Sequence, residues 1–309
     1  YYSNSFVNIH RLKSIFRRLK SIVKPVILFL HDPSTKPNAN NNHILLPNAF
    51  EELNWETRIY NPEDISLKNN RIEFESEPLP TKCLIWALGF GRKATTLDRF
   101  NILHNAPNFS FVTSVSELLL SHGKASWAEF LPETIISQDV NRIIEEISSG
   151  NDQWVLKPLA GSFGRSVHKV NNQDIKLVNS LFRESPDQFW VLQRYIEGIE
   201  HGETRTIIAG KEIIGSYLRK PEDAFRANVA QGGQISQTDL SERDRLVVEQ
   251  IVPRLAEKNI GFAAVDTCEG FLIEVNIVNP GGLSSLQDVY SEDFSKKTAL
   301  AIINAKKIS

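Results

Sequence analysis

Apolar and polar positions alternate in two periods along the chain, and the period changes several times. Pro25–Leu30 is a short unbroken apolar run, the pattern of a strand buried on both faces. Polar His31–Asn42 follows as a loop, then a helical pattern over His43–Leu53 that Pro47 is expected to interrupt. Thr57–Tyr60, Thr81–Leu88 and Phe109–Val112 read as strands, and Thr96–His104 as a helix. Strands alternating with helices predict a parallel α/β sheet. On such sheets ligands sit outside the carboxyl ends of the strands, so His31–Asn42 and Gly89–Thr95 are candidate substrate walls or ordinary connections.

The second half reads differently. Ser116–Phe130 is predicted helical. Glu133–Ser137, Gln153–Leu159, Ser166–Val170 and Phe189–Ile196 are strands around helices Val140–Ser148 and Ile175–Glu184. Thr204–Ala209 and Glu212–Arg219 flank Gly210-Lys211 as a hairpin. Pro221–Gln237 is glycine-rich and expected to be irregular. Glu242–Lys258 is a long amphipathic helix, and Glu292–Lys306 closes the chain as another.

Phe262–Thr267 and Phe271–Asn276 are apolar β-prone runs around a turn signal. A three-residue loop, Glu269-Gly270-Phe271, sets Asp266 opposite Glu274, and Asn276 shares the face of Glu274. Carboxylates directly across a sheet repel. A hard cation with oxygen ligands would offset them, and Mg²⁺ held together with phosphates suits that set. A hairpin with a solvated acidic face is the alternative.

Composition is that of a water-facing globular protein, 41% hydrophobic and 23% charged, with no apolar run of membrane-spanning length. Cys83 and Cys268 have no metal-type spacing, and a reducing cytoplasm is the simplest setting. The net charge of −2 implies no bulk attraction to nucleic acid, and no nucleic-acid partner is expected. That charge is unevenly spread. Residues 1–24 carry six Lys/Arg and no acid, so 29 basic residues face 37 acidic ones in the remainder. Leu12, Ile15, Phe16, Leu19, Ile22 and Val23 give this arm an apolar face at helical spacing. It reads as a membrane-surface or transit helix, or as a helix docked on this protein or its twin. No small-residue cleavage site follows Val26–Leu30, so a secretory signal is not expected.

Three further stretches carry chemistry. In Trp154–Val167, Lys157 precedes a glycine loop holding Gly161, Ser162 and Gly164, whose amides could cradle phosphate; a structural lysine before a tight hairpin is the alternative. It is neither a P-loop nor a dinucleotide fingerprint. Gln193, Arg194, Tyr195 and Ile196 end an apolar strand that could meet a purine edge, with Glu203 and Arg205 following; a hinge with surface charges reads equally. Arg219, Arg226 and Asn228 flank the glycine-rich segment, and arginine forks suit phosphate and carboxylate oxygens.

The order of these pieces resembles the ATP-grasp superfamily, and within it the bacterial glutathione synthetases. VLKPLAGSFGRSV, ETRTIIAGKEIIGSYLR, FRANVAQGG and FLIEVNIVNPGG carry the resemblance, which covers about residues 25–305. It implies α/β and α+β architecture: an N-terminal Rossmann-like (pre-ATP-grasp) domain followed by a two-lobed ATP-grasp fold. The expected division is a basic arm 1–24, an α/β substrate domain 25–115, a lid subdomain 116–192 and a core with the magnesium site 193–309. The resemblance further implies Lys124 and Lys157 on ATP phosphates and the Gly161–Ser166 loop as a lid. Gln193–Ile196 would be the adenine hinge, with Glu203 on ribose and Arg205 in the same ATP-binding set. Asp266, Glu274 and Asn276 would hold two Mg²⁺ ions, or Mn²⁺, and Arg219 with Asn228 would serve the reacting phosphoryl group. Arg226, Gly281 and Gly282 fall to the substrates. The implied partners are ATP, a small carboxylate and an amine, in a cytoplasmic homo-oligomer.

Departures bear on the substrates. The basic residue that contacts peptide in the family's final loop has no counterpart in Pro280–Ser285, and PSTKPNANNN is asparagine-rich, with Lys36 not clearly equivalent to the family's lysines. The ATP half of the pattern is intact, while these departures bear against the γ-glutamylcysteine half; glutathione synthesis from γ-glutamylcysteine and glycine is the first expectation that the resemblance implies. A ligase for another amino acid, peptide or protein, and a nucleotide-binding module without chemistry, are the alternatives.

Overall fold

The computed structural model describes residues 24–32, 40–80, 82–105, 109–159, 166–221 and 233–307. The arm 1–23, Lys36, the loop bearing Gly161, Ser162 and Gly164, and Arg226 and Asn228 lie outside the described residues.

The described residues open on β1 (Val26–Leu30), α1 (Asn42–Glu52) and β2 (Glu56–Tyr60). A three-stranded meander follows, β3 (Ile65–Lys68), β4 (Arg71–Phe74) and β5 (Glu77–Pro78). Then come β6 (Leu84–Ala87), α2 (Thr96–His104), β7 (Ser110–Phe111) and α3 (Val115–Leu120). All five residues of β1 are buried, as expected for a strand with parallel neighbours on both sides. The sheet is parallel, in the order β2-β1-β6-β7.

A second sheet is antiparallel, in the order β10-β9-β11-β8. It is built from β8 (Thr134–Ser137), α4 (Val140–Ser148), β9 (Trp154–Pro158), β10 (His168–Val170), α5 (Ile175–Glu184) and β11 (Trp190–Arg194). Ile143, Ile147, Val178 and Phe182 of the two helices close over Trp154, Leu156, Trp190 and Leu192. The third sheet, β14-β13-β12-β15-β16, holds β12 (Glu203–Ala209), β13 (Glu212–Lys220), β14 (Gln234–Gln237), β15 (Phe262–Cys268) and β16 (Phe271–Asn276). Its helices are α6 (Glu242–Glu257), α7 (Leu283–Tyr290) and α8 (Ser295–Lys306).

One apolar core joins the parallel sheet to the third sheet. Phe29, Phe50 and Trp86 pack in the same cluster as Ile207, Phe262, Leu286 and Ile302, and Trp86 meets Phe262 edge-on at 5.2 Å. This contact fixes the carboxyl end of β1 beside the loop after β16. Asn42, 1% exposed, donates to Asn279 Oδ1 and to the Pro280 carbonyl, both at 2.9 Å; Asn40 donates to the Asn279 carbonyl at 2.7 Å.

Several expectations are corrected. Pro47 does not interrupt α1: it lies in the second turn, where only the bond to the His43 carbonyl is forfeited, and its ring is buried. The predicted helix Ser116–Phe130 is α3 followed by a 3₁₀ segment, Lys124–Phe130, with a break at Trp127; Gly123 separates the two. The last predicted helix, Glu292–Lys306, is α8, which begins at Ser295; α7, Leu283–Tyr290, was not expected, and Ser291 with φ 55° ends it. Gln234–Gln237 of the expected irregular segment is a strand paired with β13. The acidic hairpin turns on two residues, not three. Glu269 and Gly270 both have positive φ, 52° and 83°, as a type I′ turn demands. The β15–β16 register then slips by one between Asp266 and Thr267, a bulge that restores Asp266 opposite Glu274.

No helix among the described residues is long and apolar enough to cross a membrane.

Candidate active site

Strand register alone gathers most of the charged groups. Glu203 faces Arg219 across β12–β13, Arg205 faces Asp266 across β12–β15, and Asp266 faces Glu274 across β15–β16. Side chains two apart on a strand share a face, so Glu203 and Arg205, like Glu274 and Asn276, project together. The turn of this hairpin is anchored from α6: Ser241 caps the helix through Asp244 N–H at 3.1 Å, and Asp244 Oδ1 accepts the Gly270 N–H at 2.9 Å.

Asp266 is 1% exposed and carries three charge-assisted contacts. Arg205 grips both of its oxygens at 2.7 Å, and Arg219 Nη2 reaches Oδ2 at 2.9 Å while also pairing with Glu203. Such forks are the arrangement in which a buried carboxylate is tolerated. Arg205 Nη1 also donates to the Gly281 carbonyl at 3.1 Å, which ties the loop after β16 to the same network. Gly282 adopts φ 147°, and a Cβ there would sit 2.5 Å from Ile207 Cδ1. Arg219 Nε is buried and no described atom accepts from it.

Across from this patch stand two lysines. Lys124 Nζ lies 2.8 Å from Glu274 Oε1, and Lys157 Nζ 2.7 Å from Gln193 Oε1. Gln193 in turn donates to Thr134 Oγ1 at 3.1 Å, so its amide is locked in one orientation. Its side chain therefore positions Lys157, a role the sequence did not suggest. Burial, then repulsion from Lys124, lowers the Lys157 ammonium to about 7. Burial would raise the Glu274 carboxyl, but the ion pair with Lys124, helped by Lys157 and Arg205, outweighs it and brings the group to about 2. Burial raises Glu203, with Arg219 opposing. Burial works against the Arg205 charge, but Asp266 more than compensates and holds it protonated.

Asp266, Glu274 and Asn276 offer hard oxygen donors from one patch. Asn276 Nδ2 lies 3.5 Å from Asp266 and 3.3 Å from Glu274, so a turn of its amide would point an oxygen the same way. The donor set fits a magnesium-like ion. Its third member is an amide; among the described residues no three His, Cys, Asp or Glu gather as a metal cluster.

The expected hinge is less open than its sequence suggests. Tyr195 N–H is spent on the Gln153 carbonyl at 2.9 Å, its hydroxyl donates to Glu200 at 2.6 Å, and Lys169 lies over its ring. Ile196 N–H is the donor this strand end can offer.

The chain is similar in sequence and in fold to known proteins. A glutathione synthetase of Rhodopseudomonas palustris is 31% identical over 208 residues, covering 66% of this chain and 62% of that protein. The chain thus spans about three-fifths of that relative's length, and a similar share, 59%, of the one from Bradyrhizobium diazoefficiens, 29% identical over 201 residues. The crystal structure of the D-cycloserine synthetase DcsG superposes with a TM-score of 0.69 at 15% identity, covering 92% of this chain and all of the other, which shows a shared fold. The family described as prokaryotic glutathione synthetase, ATP-grasp domain, matches residues 122–291, and the chain belongs to it.

Proposed function

We propose that the chain is an ATP-dependent carboxylate–amine ligase of the glutathione synthetase type. The observation that carries the reading is the make-up of the cleft. Three paired cations, Lys124, Arg205 and Arg219, converge on three carboxylates, Lys157 stands beside them on Gln193, and one buried donor, Arg219 Nε, has no acceptor among the described residues. Phosphate oxygens supply acceptors and negative charge of that kind.

In this reading Lys124 and Lys157 hold the nucleotide's phosphates, Ile196 N–H meets the purine edge, and Glu203 with Arg205 completes the nucleotide site. Asp266, Glu274 and Asn276 would hold two Mg²⁺ or Mn²⁺ ions, which supply charge neutralisation to the phosphates. A carboxylate resists attack by an amine because oxide is a poor leaving group. Transfer of the γ-phosphoryl group to the carboxylate yields an acyl phosphate and ADP; attack by the amine then forms the amide and expels phosphate. Arg219, with Asn228 as its helper, steadies the charge that builds on the transferring group. Gly161, Ser162 and Gly164 would cover it from water, which otherwise hydrolyses the acyl phosphate. Arg226, Gly281 and Gly282 would serve the substrates.

The first pair to test is γ-glutamylcysteine with glycine. A different amino-acid or peptide pair is the second reading, favoured by the absence of any basic residue in Pro280–Ser285. ADP release measured with each pair separates them. ATP binding without turnover on any pair would overturn the ligase assignment.

A further inference from the structure

Beside the charged patch lies an apolar cavity of about 310 Å³. Phe90, Phe100, Leu118, Leu119 and Ile277 form its walls, and Asn276 is its link to the site, since the Asn276 amide is 3.3 Å from Glu274 Oε2. Its polar members are Thr96, His122 and Asn276, and among the described residues no Lys, Arg, Asp or Glu lines it. The volume is at the small end for a ligand pocket, and a mainly apolar lining with a few polar groups at one side is the usual make-up of one.

The wall is preformed. The carbonyl of Phe90 accepts from Arg99 Nε at 2.6 Å, and Arg99 Nη1 donates to Thr95 Oγ1 at 2.6 Å. Glu63 accepts the Arg92 N–H at 2.7 Å, and Gly91 turns between them with φ 67°. Phe90 then packs on Phe100, ring centroids 4.4 Å apart. Arg99 is only 7% exposed, so this loop is held without any ligand, which lowers the cost of binding one.

We propose that this cavity receives the apolar side chain of one of the two substrates, an amino acid or short peptide with a side chain of leucine to phenylalanine size. The inference rests on the ligase reading and narrows its substrate. A side chain seated between Phe100 and Leu119 sets its own carboxyl and amino groups at the Asn276 end, next to Glu274 and Lys124. The charged end of a glutamyl group would meet no Lys or Arg there, only Thr96, His122 and Asn276. Each buried methylene contributes roughly fourfold in affinity, so leucine should exceed alanine by at least about tenfold.

The test is calorimetric binding of dipeptides carrying alanine, leucine, phenylalanine or aspartate to the full chain, with ADP formation from ATP measured separately. The expected result is binding of the leucine and phenylalanine peptides about tenfold or more tighter than the alanine one, with aspartate weakest. Leu119→Trp, at the half-exposed mouth, is expected to abolish that preference. Equal binding of all four, binding of none, or an unchanged preference in Leu119→Trp overturns the cavity assignment. Failure of ADP formation while the preference holds counts against the ligase reading alone.

Discussion

Binding of nucleotide at about pH 8 is expected to draw roughly 0.9 proton per site from solution, and the proton goes to Lys157. The apoprotein holds that ammonium at about 7, because it is buried and lies near Lys124. One unit above its pKa, a lysine is only about one-tenth charged. Phosphate oxygens at the Nζ would favour the charged form and return the group toward its ordinary 10.5, so nearly every site must take up a proton. Calorimetric titration of Mg-nucleotide in two buffers of different ionisation enthalpy reads the proton number directly as a slope. Lys157→Arg keeps a permanent charge and should flatten that slope while still binding phosphate. A flat slope for the unmodified protein, or the same slope in Lys157→Arg, would refute the reasoning. The same shift has a stability consequence. Between about 7 and 10.5 the unfolded chain binds a proton that the native one lacks, so Lys157 makes apoprotein stability rise with pH across that window.

Asp266→Ala should cost about 3 kcal/mol in urea unfolding as well as metal binding, since it removes the carboxylate partner of Arg205 and one of the two on Arg219; an unchanged midpoint would contradict the network. Glu274→Gln is the cleaner metal-site variant, because it keeps the side chain's shape and leaves the arginine network on Asp266 intact; fluorescence or calorimetric Mn²⁺ titration should show weakened binding, with a smaller loss of stability than Asp266→Ala causes. Gln193→Leu removes the acceptor at Lys157 and should weaken nucleotide binding roughly tenfold or more without changing the adenine preference; unaltered affinity would show that Gln193 does not position the lysine. Gly282→Ala pushes a methyl group against Ile207 and should lower the melting temperature by several degrees, roughly 1–3 kcal/mol, displacing the loop that Arg205 holds.

The sequence showed the acidic hairpin because its signal is local. Asp266 and Glu274 sit on two apolar runs joined by a glycine turn, and their pairing was right for the wrong reason: a shorter turn and a bulge cancel. The Glu203–Arg219–Asp266–Arg205 network was not legible as a network. Its members are contiguous through the β12–β13 hairpin, where a bulge at Ile207/Ile208 shifts the register that sets Glu203 opposite Arg219, and through β12–β15, strands far apart in sequence whose pairing leaves no local pattern. For the same reason the Gln193–Lys157 contact and the Asn40–Asn42–Asn279 tie were missed. The meander β3–β5 was missed although its turns carry a signal. Asn69 and Asn70 both have positive φ, a conformation asparagine tolerates, but the polar strands beside them lacked an apolar run. The helix after Gly123 failed because the backbone tightens into a 3₁₀ segment that keeps nearly helical side-chain spacing.

The central claim is that a carboxylate is phosphorylated in this cleft before an amine displaces the phosphate. The direct test supplies ATP, the amine and a carboxylate substrate labelled with heavy oxygen, and follows the label by mass spectrometry of the inorganic phosphate. One labelled oxygen transferred to phosphate for each amide formed, with ADP as the nucleotide product, is the predicted result. Phosphate without label, or label recovered in AMP, would contradict the account.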